Sequence, residues 1–327
     1  MAKKFSYSKL NTFESCGWKY KLQYVDGHYI SADSLAIWLG LLVHGIEEEI
    51  ARTIQMGGKP DYEQLKDKFQ NAGLNAPDRA DHRSTLLGIN VLKEKFKDDF
   101  FQPDEHGASY YTRTLEYLDY GIHRLERYLA NNPNLEVYGI EQFFSINFQG
   151  NVLSGYIDRV FRDRVENVYY VEDIKTRNKL FRETELVTPL QFVIYVYALA
   201  ENLGLDYSHF RCAYDLPFLD IKQAAGTAGF VPRGIKKMRE IFTEIKDGNF
   251  IPSPSPLCHW CQFCPTNPEQ PEEGKLLCPY YSLWTRENRV HTVAHKWEGI
   301  ERHPAIMADE IRCQTNAESK TISEFDF

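Results

Sequence analysis

No other feature of this sequence narrows its architecture as much as the change of hydrophobic period at Asn131-Asn132-Pro133-Asn134. Upstream, apolar residues recur at helical spacing over 33–54, with Asp33 as the expected cap, and then over 61–73, 84–100 and 113–130. In the last segment Leu115, Leu118, Ile122, Leu125 and Leu129 form one stripe. Downstream, 136–148, 152–162 and 168–175 alternate apolar and polar residues as strands do, and Gln149-Gly150-Asn151 marks a tight hairpin between the first two. A helix over 189–203, a strand over 207–216 and a basic helix over 234–247 follow. Helices, then a β-meander, then helix and strand predict one α/β domain with a helical insertion near its N-terminal side.

The chain has 327 residues, enough to bury a sizeable core. Its net charge of −8 argues against coating nucleic acid by bulk electrostatics, although a local basic groove stays compatible with it. Aromatic content of 14% fills a core, and aromatics also stack on unpaired bases. No run of about 18 apolar residues occurs, so no membrane partner is expected. Met1-Ala2-Lys3-Lys4 is not followed by the apolar stretch of a signal peptide, and a cytosolic protein is expected. In a reducing compartment the seven cysteines read better as metal ligands than as disulfides.

Two of the strands carry Gly155-Tyr156-Ile157-Asp158-Arg159 and Val171-Glu172-Asp173-Ile174-Lys175-Thr176. Side chains two apart on a strand share a face, so Asp173 and Lys175 project together while Ile174 turns to the other layer. A hairpin sets Asp158 alongside. Two carboxylates and an ammonium at one point suit phosphodiester hydrolysis: hard oxygen ligands hold Mg²⁺ or Mn²⁺, and a lysine steadies the attacking water or the developing anion. Alone, Asp-x-Lys is a pattern that many surface strands carry.

Cys258-His259-Trp260-Cys261, Cys264 and Cys278-Pro279 lie in a Pro- and Cys-rich stretch, 251–281, that reads as a metal-organised loop. These four cysteines alone suffice for a zinc site. Cys212 and Cys313 read as ordinary thiols.

Gly155-x-x-Asp158-Arg159, then Asp173-x-Lys175-Thr176, then a helix with Gln191-Phe192-Val193-Ile194-Tyr195, resembles the core signature of RecB-like nucleases in the PD-(D/E)XK superfamily. The resemblance implies a restriction-endonuclease-like α/β core, a small mixed sheet flanked by helices. It implies metal binding by Asp158 and Asp173 with the Ile174 carbonyl, and a catalytic Lys175. Gln191 and Tyr195, one helix turn apart, would border the site and meet DNA. His44, in Gly40-Leu41-Leu42-Val43-His44, matches the helical histidine that completes the metal shell in this family. Glu141, in Ile140-Glu141-Gln142-Phe143, matches an acidic position on the preceding strand.

The stretch from Phe5 to Cys16 resembles the N-terminal element of the iron–sulfur members, which include AddB-type subunits and CRISPR-adaptation nucleases. There one cysteine ahead of the core joins three behind it to hold a [4Fe-4S] cluster. Carried over, the ligands are Cys16, Cys258, Cys261 and Cys278, with Cys264 the alternative fourth. The acidic, Pro-rich excursion from Pro265 to Leu277 departs from the family spacing and can loop out between ligands. Such a cluster would staple the terminal segments together.

The chain accordingly divides into a first-cysteine segment (1–32), a mainly helical region with the histidine helix (33–135), the nuclease core (136–250), the cysteine segment (251–285) and a C-terminal extension (286–327). The expected activity is metal-dependent DNA cleavage, exonucleolytic on single strands or ends, in recombination, repair, phage DNA metabolism or CRISPR adaptation. Arg177 and Lys179 are further candidates for DNA contact, and no phosphate-binding loop of an ATP motor is present. The polar tail 314–327 is expected to be disordered and to offer a docking point for a replication or recombination partner. Two alternatives stand beside this reading: a DNA-end-binding adaptor with a vestigial site, and a zinc-stapled interaction module. The complete set of His44, Asp158, Asp173 and Lys175 speaks against the first.

Overall fold

The computed structural model of the chain describes residues 4–28, 34–72, 88–103, 107–255, 258, 261–264, 278, 281–284 and 291–294. Asp33, residues 84–87 and the tail 314–327 lie outside them, and so do the readings made there. The chain divides into two compact units, Met1–Tyr7 with Asp33–Lys237, and Ser8–Ala32 with Met238–Phe327.

The first unit is built on a mixed sheet of β1 (Lys4–Phe5), β2 (Leu135–Phe148), β3 (Asn151–Asp163), β4 (Tyr169–Ile174), β5 (Phe210–Leu216) and β6 (Ile221–Ala225). β2 runs antiparallel along the whole of β3, and Gln149 and Gly150, both at positive φ, make a two-residue turn between them. The other edge of β3 is shared, by β4 antiparallel at 159–162 and by β1 parallel at 152–153. β5 adds parallel to β4, and β6 closes the edge antiparallel to β5. β6 is a short edge strand of Ile-Lys-Gln-Ala-Ala, too polar to announce itself by alternation.

Helices cover both faces. α3 (Leu35–Gln55) buries the stripe Leu35, Leu39, Leu42, Val43, Ile46 and Ile50 against Val137, Ile140, Phe161 and Ile174, so the helical region and the strands share one core. Truncating any of the fully buried leucines or isoleucines to alanine costs about 2–5 kcal/mol. α10 (Leu190–Leu203) takes the opposite face, with Phe192 against Tyr214 and Tyr195 against Phe144. With its short neighbour α9 (Glu183–Leu186) it forms the stretch Glu183–Leu203, which is long and apolar enough to cross a membrane by length and composition alone. Ten of the 14 residues of α10 are buried inside the fold, which accounts for its being apolar on every side. α11 (Phe230–Asp247) packs on α10 at Gly234, where an added Cβ would meet Val193 at 2.2 Å. It starts four residues earlier than expected, because Pro232 sits in the first turn, where a helix needs no N–H.

Three expected helices are broken. The first is α4 (Tyr62–Asp67), capped by Asp61, which continues as a π-helical turn over Lys68–Ala72. The second divides at Phe96 into α5 (Ile89–Lys95) and α6 (Lys97–Phe101). The third becomes α7 (Tyr110–Asp119), a 3-10 turn over Gly121–His123, and α8 (Arg124–Asn131). Of the stripe expected over 113–130, Leu118, Ile122 and Leu125 are buried in the core and Leu129 packs against it, whereas Leu115 is exposed and Thr114 and Tyr117 face inward instead. The break re-aims α8 so that Arg124 turns inward.

In the second unit, α1 (Tyr7–Ser15) and α2 (Gly17–Tyr20) precede a π-helical stretch, Lys21–Val25. Phe13 and Tyr20 pack on Phe250, and Gly17 lies so close to Ile251 that a Cβ would meet its carbonyl oxygen at 2.7 Å. Strands β7 (Tyr281–Trp284) and β8 (His291–Ala294) pair antiparallel within the loop and extension expected from the sequence.

Candidate active site

The register of β3 and β4 pairs Arg159 with Glu172, which sets Asp158 beside Asp173. Asp173 turns toward α10, where Gln191 meets it. Asp158 accepts the backbone N–H of Ile174 at 2.8 Å. Asp173, almost fully buried, meets Lys175 Nζ at 2.5 Å and accepts from Gln191 Nε2 at 2.5 Å. Gln191 Nε2 also donates to the Tyr195 hydroxyl at 2.8 Å, which links this helix pair to Asp173. Lys175 keeps its backbone N–H on Asp215 O, extending the β4–β5 ladder by one rung.

α3 brings His44 in from the other side. Its Nε2 bonds the Ile174 carbonyl at 2.9 Å and its Nδ1 stands 3.7 Å from the Asp158 carboxylate. One turn earlier, Gly40 leaves 3.4 Å between a would-be Cβ and Thr176 Oγ1, which lets the segment after β4 run close under the helix. Glu141 completes the group. It adopts φ 45 within β2, a conformation that costs a non-glycine residue about 1–3 kcal/mol and tends to persist where the surroundings demand it. Ligand atoms of His44, Glu141 and Asp158 all lie within 4.8 Å of one another. Two carboxylates and an imidazole around one point are a donor set suited to a divalent cation.

Asp173 is not part of that triple and is engaged by Lys175 and Gln191. The Ile174 carbonyl already accepts from His44, although a carbonyl oxygen keeps a second lone pair. Burial pushes the Asp173 carboxyl up to about 7; Lys175 opposes the shift and Asp158 reinforces it. Burial pulls Lys175 down, but Asp173 and Asp158 outweigh it and hold the ammonium above its ordinary value. Tyr195 is held far above its usual range by burial and by both aspartates, so it stays a neutral hydroxyl. Arg177 and Lys179 lie beyond this cluster. The Arg177 guanidinium stacks 3.9 Å over Phe181, itself stacked on Tyr214, while Lys179 is exposed.

A second charged cluster occupies the opposite face of the same strands and was not anticipated. Arg159 donates to Glu47 at 3.0 Å, to Glu172 at 2.8 and 3.0 Å, and to Asp215. Arg124 binds Asp215, Lys222 binds Glu172, and the Tyr117 hydroxyl donates to Glu47 at 3.0 Å. Burial alone would raise Asp215, yet Arg124, Lys222 and Arg159 hold its carboxyl well below the usual range. Alternation is the one sequence signal for it, since Arg159 and Glu172 neighbour Asp158 and Asp173 in the chain and must face the other layer.

Five of the six described cysteines lie in the second unit. Cys16 caps α2, and its sulfur accepts the N–H groups of Lys19 (3.5 Å) and Ser253 (3.4 Å). The Cys258 sulfur accepts from Ser255 N at 3.4 Å, and tandem turns link Cys258 to Cys261 and Cys261 to Cys264. Burial raises the Cys261 thiol to about 11; the Phe263 backbone and Lys19 act against it, Cys16 and Cys258 with it. Cys278 packs with Leu22, Phe263 and Cys261, and no disulfide joins the six described cysteines. Cys212 is buried in the first unit.

No curated protein matches the chain. A solved structure of a protein provisionally named an exonuclease, from Eubacterium rectale, is 14% identical and covers 80% of this chain and 87% of its own, with a TM-score of 0.41. The family model of the PD-(D/E)XK nuclease superfamily matches residues 4–266, a span that includes every residue of the carboxylate–lysine cluster. The chain belongs to the PD-(D/E)XK nuclease superfamily.

Proposed function

We propose that this protein is a divalent-metal-dependent DNA nuclease of the RecB-like iron–sulfur branch, hydrolysing phosphodiester bonds in single strands or at DNA ends. The observation that carries the reading is the approach of His44, Glu141 and Asp158 within 4.8 Å, beside the Asp173–Lys175 pair. His44, Glu141 and Asp158 would hold Mg²⁺ or Mn²⁺, with Asp173 joining as a carboxylate once Lys175 turns toward substrate. The ion, when bound, lowers the pKa of a water and offsets charge on the phosphorane-like transition state. Lys175 then donates to a non-bridging phosphate oxygen as negative charge grows there, worth about 10²–10³ in rate for one such donor. Gln191 and Tyr195 hold Asp173 in place, and the Ile174 N–H fixes the Asp158 carboxylate.

Cys16, Cys258, Cys261 and Cys278 would hold a [4Fe-4S] cluster. Backbone N–H groups already aimed at the Cys16 and Cys258 sulfurs suit thiolate ligands. The cluster's work is structural, tying segments from opposite ends of the chain.

Anaerobically purified protein incubated with end-labelled single- and double-stranded DNA tests the reading. Shortening of the label in Mn²⁺ and its abolition by EDTA are expected. Binding without cleavage, in folded protein with iron present, would replace it with a DNA-end-binding role.

A further inference from the structure

Beside the carboxylates, two large aromatic side chains stand in solvent. Phe143 is 57% exposed and Tyr156 is 42% exposed. They are cross-strand partners on β2 and β3, with ring centroids 5.2 Å apart at 55°. Tyr156 lies two residues from Asp158 on β3, and Phe143 two residues from Glu141 on β2. On β3 that spacing puts Tyr156 on the face of Asp158, about 7 Å along the strand. Other exposed aromatics among the described residues, Phe101 and Tyr120, belong to the helical region.

An exposed cross-strand aromatic pair stabilises a hairpin by only a few tenths to one kcal/mol, and burying either ring in the core would release more apolar surface. Its placement has a further use. In a nucleotide the base lies across the sugar from the phosphate, so a strand whose scissile phosphate lies at Asp158 carries a neighbouring base toward these rings. Bases in a duplex are stacked on each other and unavailable; unpaired bases present a free face to an aromatic side chain, without regard to sequence.

We infer that Phe143 and Tyr156 form a stacking platform for an unpaired base next to the scissile phosphate, making single-stranded DNA the substrate class of this site. The inference rests on the nuclease reading above and deepens it. The rings do no chemistry; they position the strand and raise its affinity.

The test compares the wild-type protein with F143A/Y156A and with F143W/Y156W on a labelled single-stranded oligonucleotide in Mn²⁺, with affinity measured separately in Ca²⁺. The alanine pair should raise KM and the Ca²⁺ Kd roughly tenfold or more, with kcat within about threefold, and the tryptophan pair should restore both. A substrate with abasic positions through the cleaved region should bind wild-type protein as weakly as the intact strand binds the alanine pair. An unchanged Kd and KM in the alanine pair, or a loss that abasic substrate does not reproduce, overturns the platform. Wild-type protein that binds strands in Ca²⁺ but cuts nothing in Mn²⁺ overturns the nuclease reading instead, and the platform then stands or falls on the Kd values alone.

Discussion

Replacing Arg159 with leucine removes one cation from a buried group that holds three acids, Glu47, Glu172 and Asp215, against three bases, Arg124, Arg159 and Lys222. The loss is not shared evenly. Glu172 keeps Lys222 and Asp215 keeps Arg124, but Glu47, whose side chain is completely buried, keeps only the Tyr117 hydroxyl. Leucine fills most of the space, so the cost is mainly that of one buried carboxylate left without a counter-charge, about 3–5 kcal/mol. For a unit of this size that lowers Tm by about 6–20 °C. Glu47→Gln added to Arg159→Leu removes the stranded charge and should return roughly half of the loss. Urea unfolding followed by tryptophan fluorescence and circular dichroism reads both variants. A single variant within 1 kcal/mol of wild type, or a double variant no more stable than the single one, would refute the reasoning. Glu47 lies three residues beyond His44 on α3, so the single variant should also weaken divalent-ion binding.

Four further outcomes follow from the geometry. Asp173 has its folded pKa raised to about 7 from 3.8, so its protonated form favours the metal-free fold; that contribution is complete below pH 4 and lost as pH climbs through 7. Divalent-ion affinity should therefore rise with pH up to about 7 and level off, with proton release near pH 6 that Asp173→Asn diminishes in calorimetry across buffers of different ionisation enthalpy. Glu141→Gly should relieve the φ 45 strain and stabilise metal-free protein by about 1 kcal/mol while lowering Mn²⁺ affinity, both readable by thermal melts with and without the ion. Gly234→Ala should cost about 1–3 kcal/mol in denaturant unfolding, because Val193 must yield to the new Cβ. Cys16→Ser and Cys278→Ser should each lose iron and visible absorbance after anaerobic purification, whereas Cys264→Ser should retain both.

The site was legible where chemistry and periodicity coincide. Asp158 and Asp173 sit on neighbouring strands with Lys175 just past the end of β4, and a single register follows from the short turn at Gln149-Gly150. The strained backbone of Glu141 left no trace in the sequence, since positive φ is marked only where glycine or asparagine adopts it. The ionic group around Arg159 was hidden because charge on the inward side of a strand reads as a solvent face; only the three-dimensional pairing of acids and bases makes burial affordable. Helices were overextended at Phe96 and Gly121, where packing, not the apolar count, ends them. At Gly121 a Cβ would stand 2.8 Å from Tyr117 Cδ2, so the glycine there serves close approach rather than a turn.

The most direct test of the account is the single-turnover cleavage rate of end-labelled single-stranded DNA in Mn²⁺ by wild type, Asp173→Asn and Lys175→Ala, each shown to be folded and to contain iron. Both substitutions should slow cleavage by at least about 100-fold while DNA affinity in Ca²⁺ changes by no more than about threefold. Cleavage at the wild-type rate in both variants would contradict it, since the reaction would then run without the groups that β4 delivers to the phosphate.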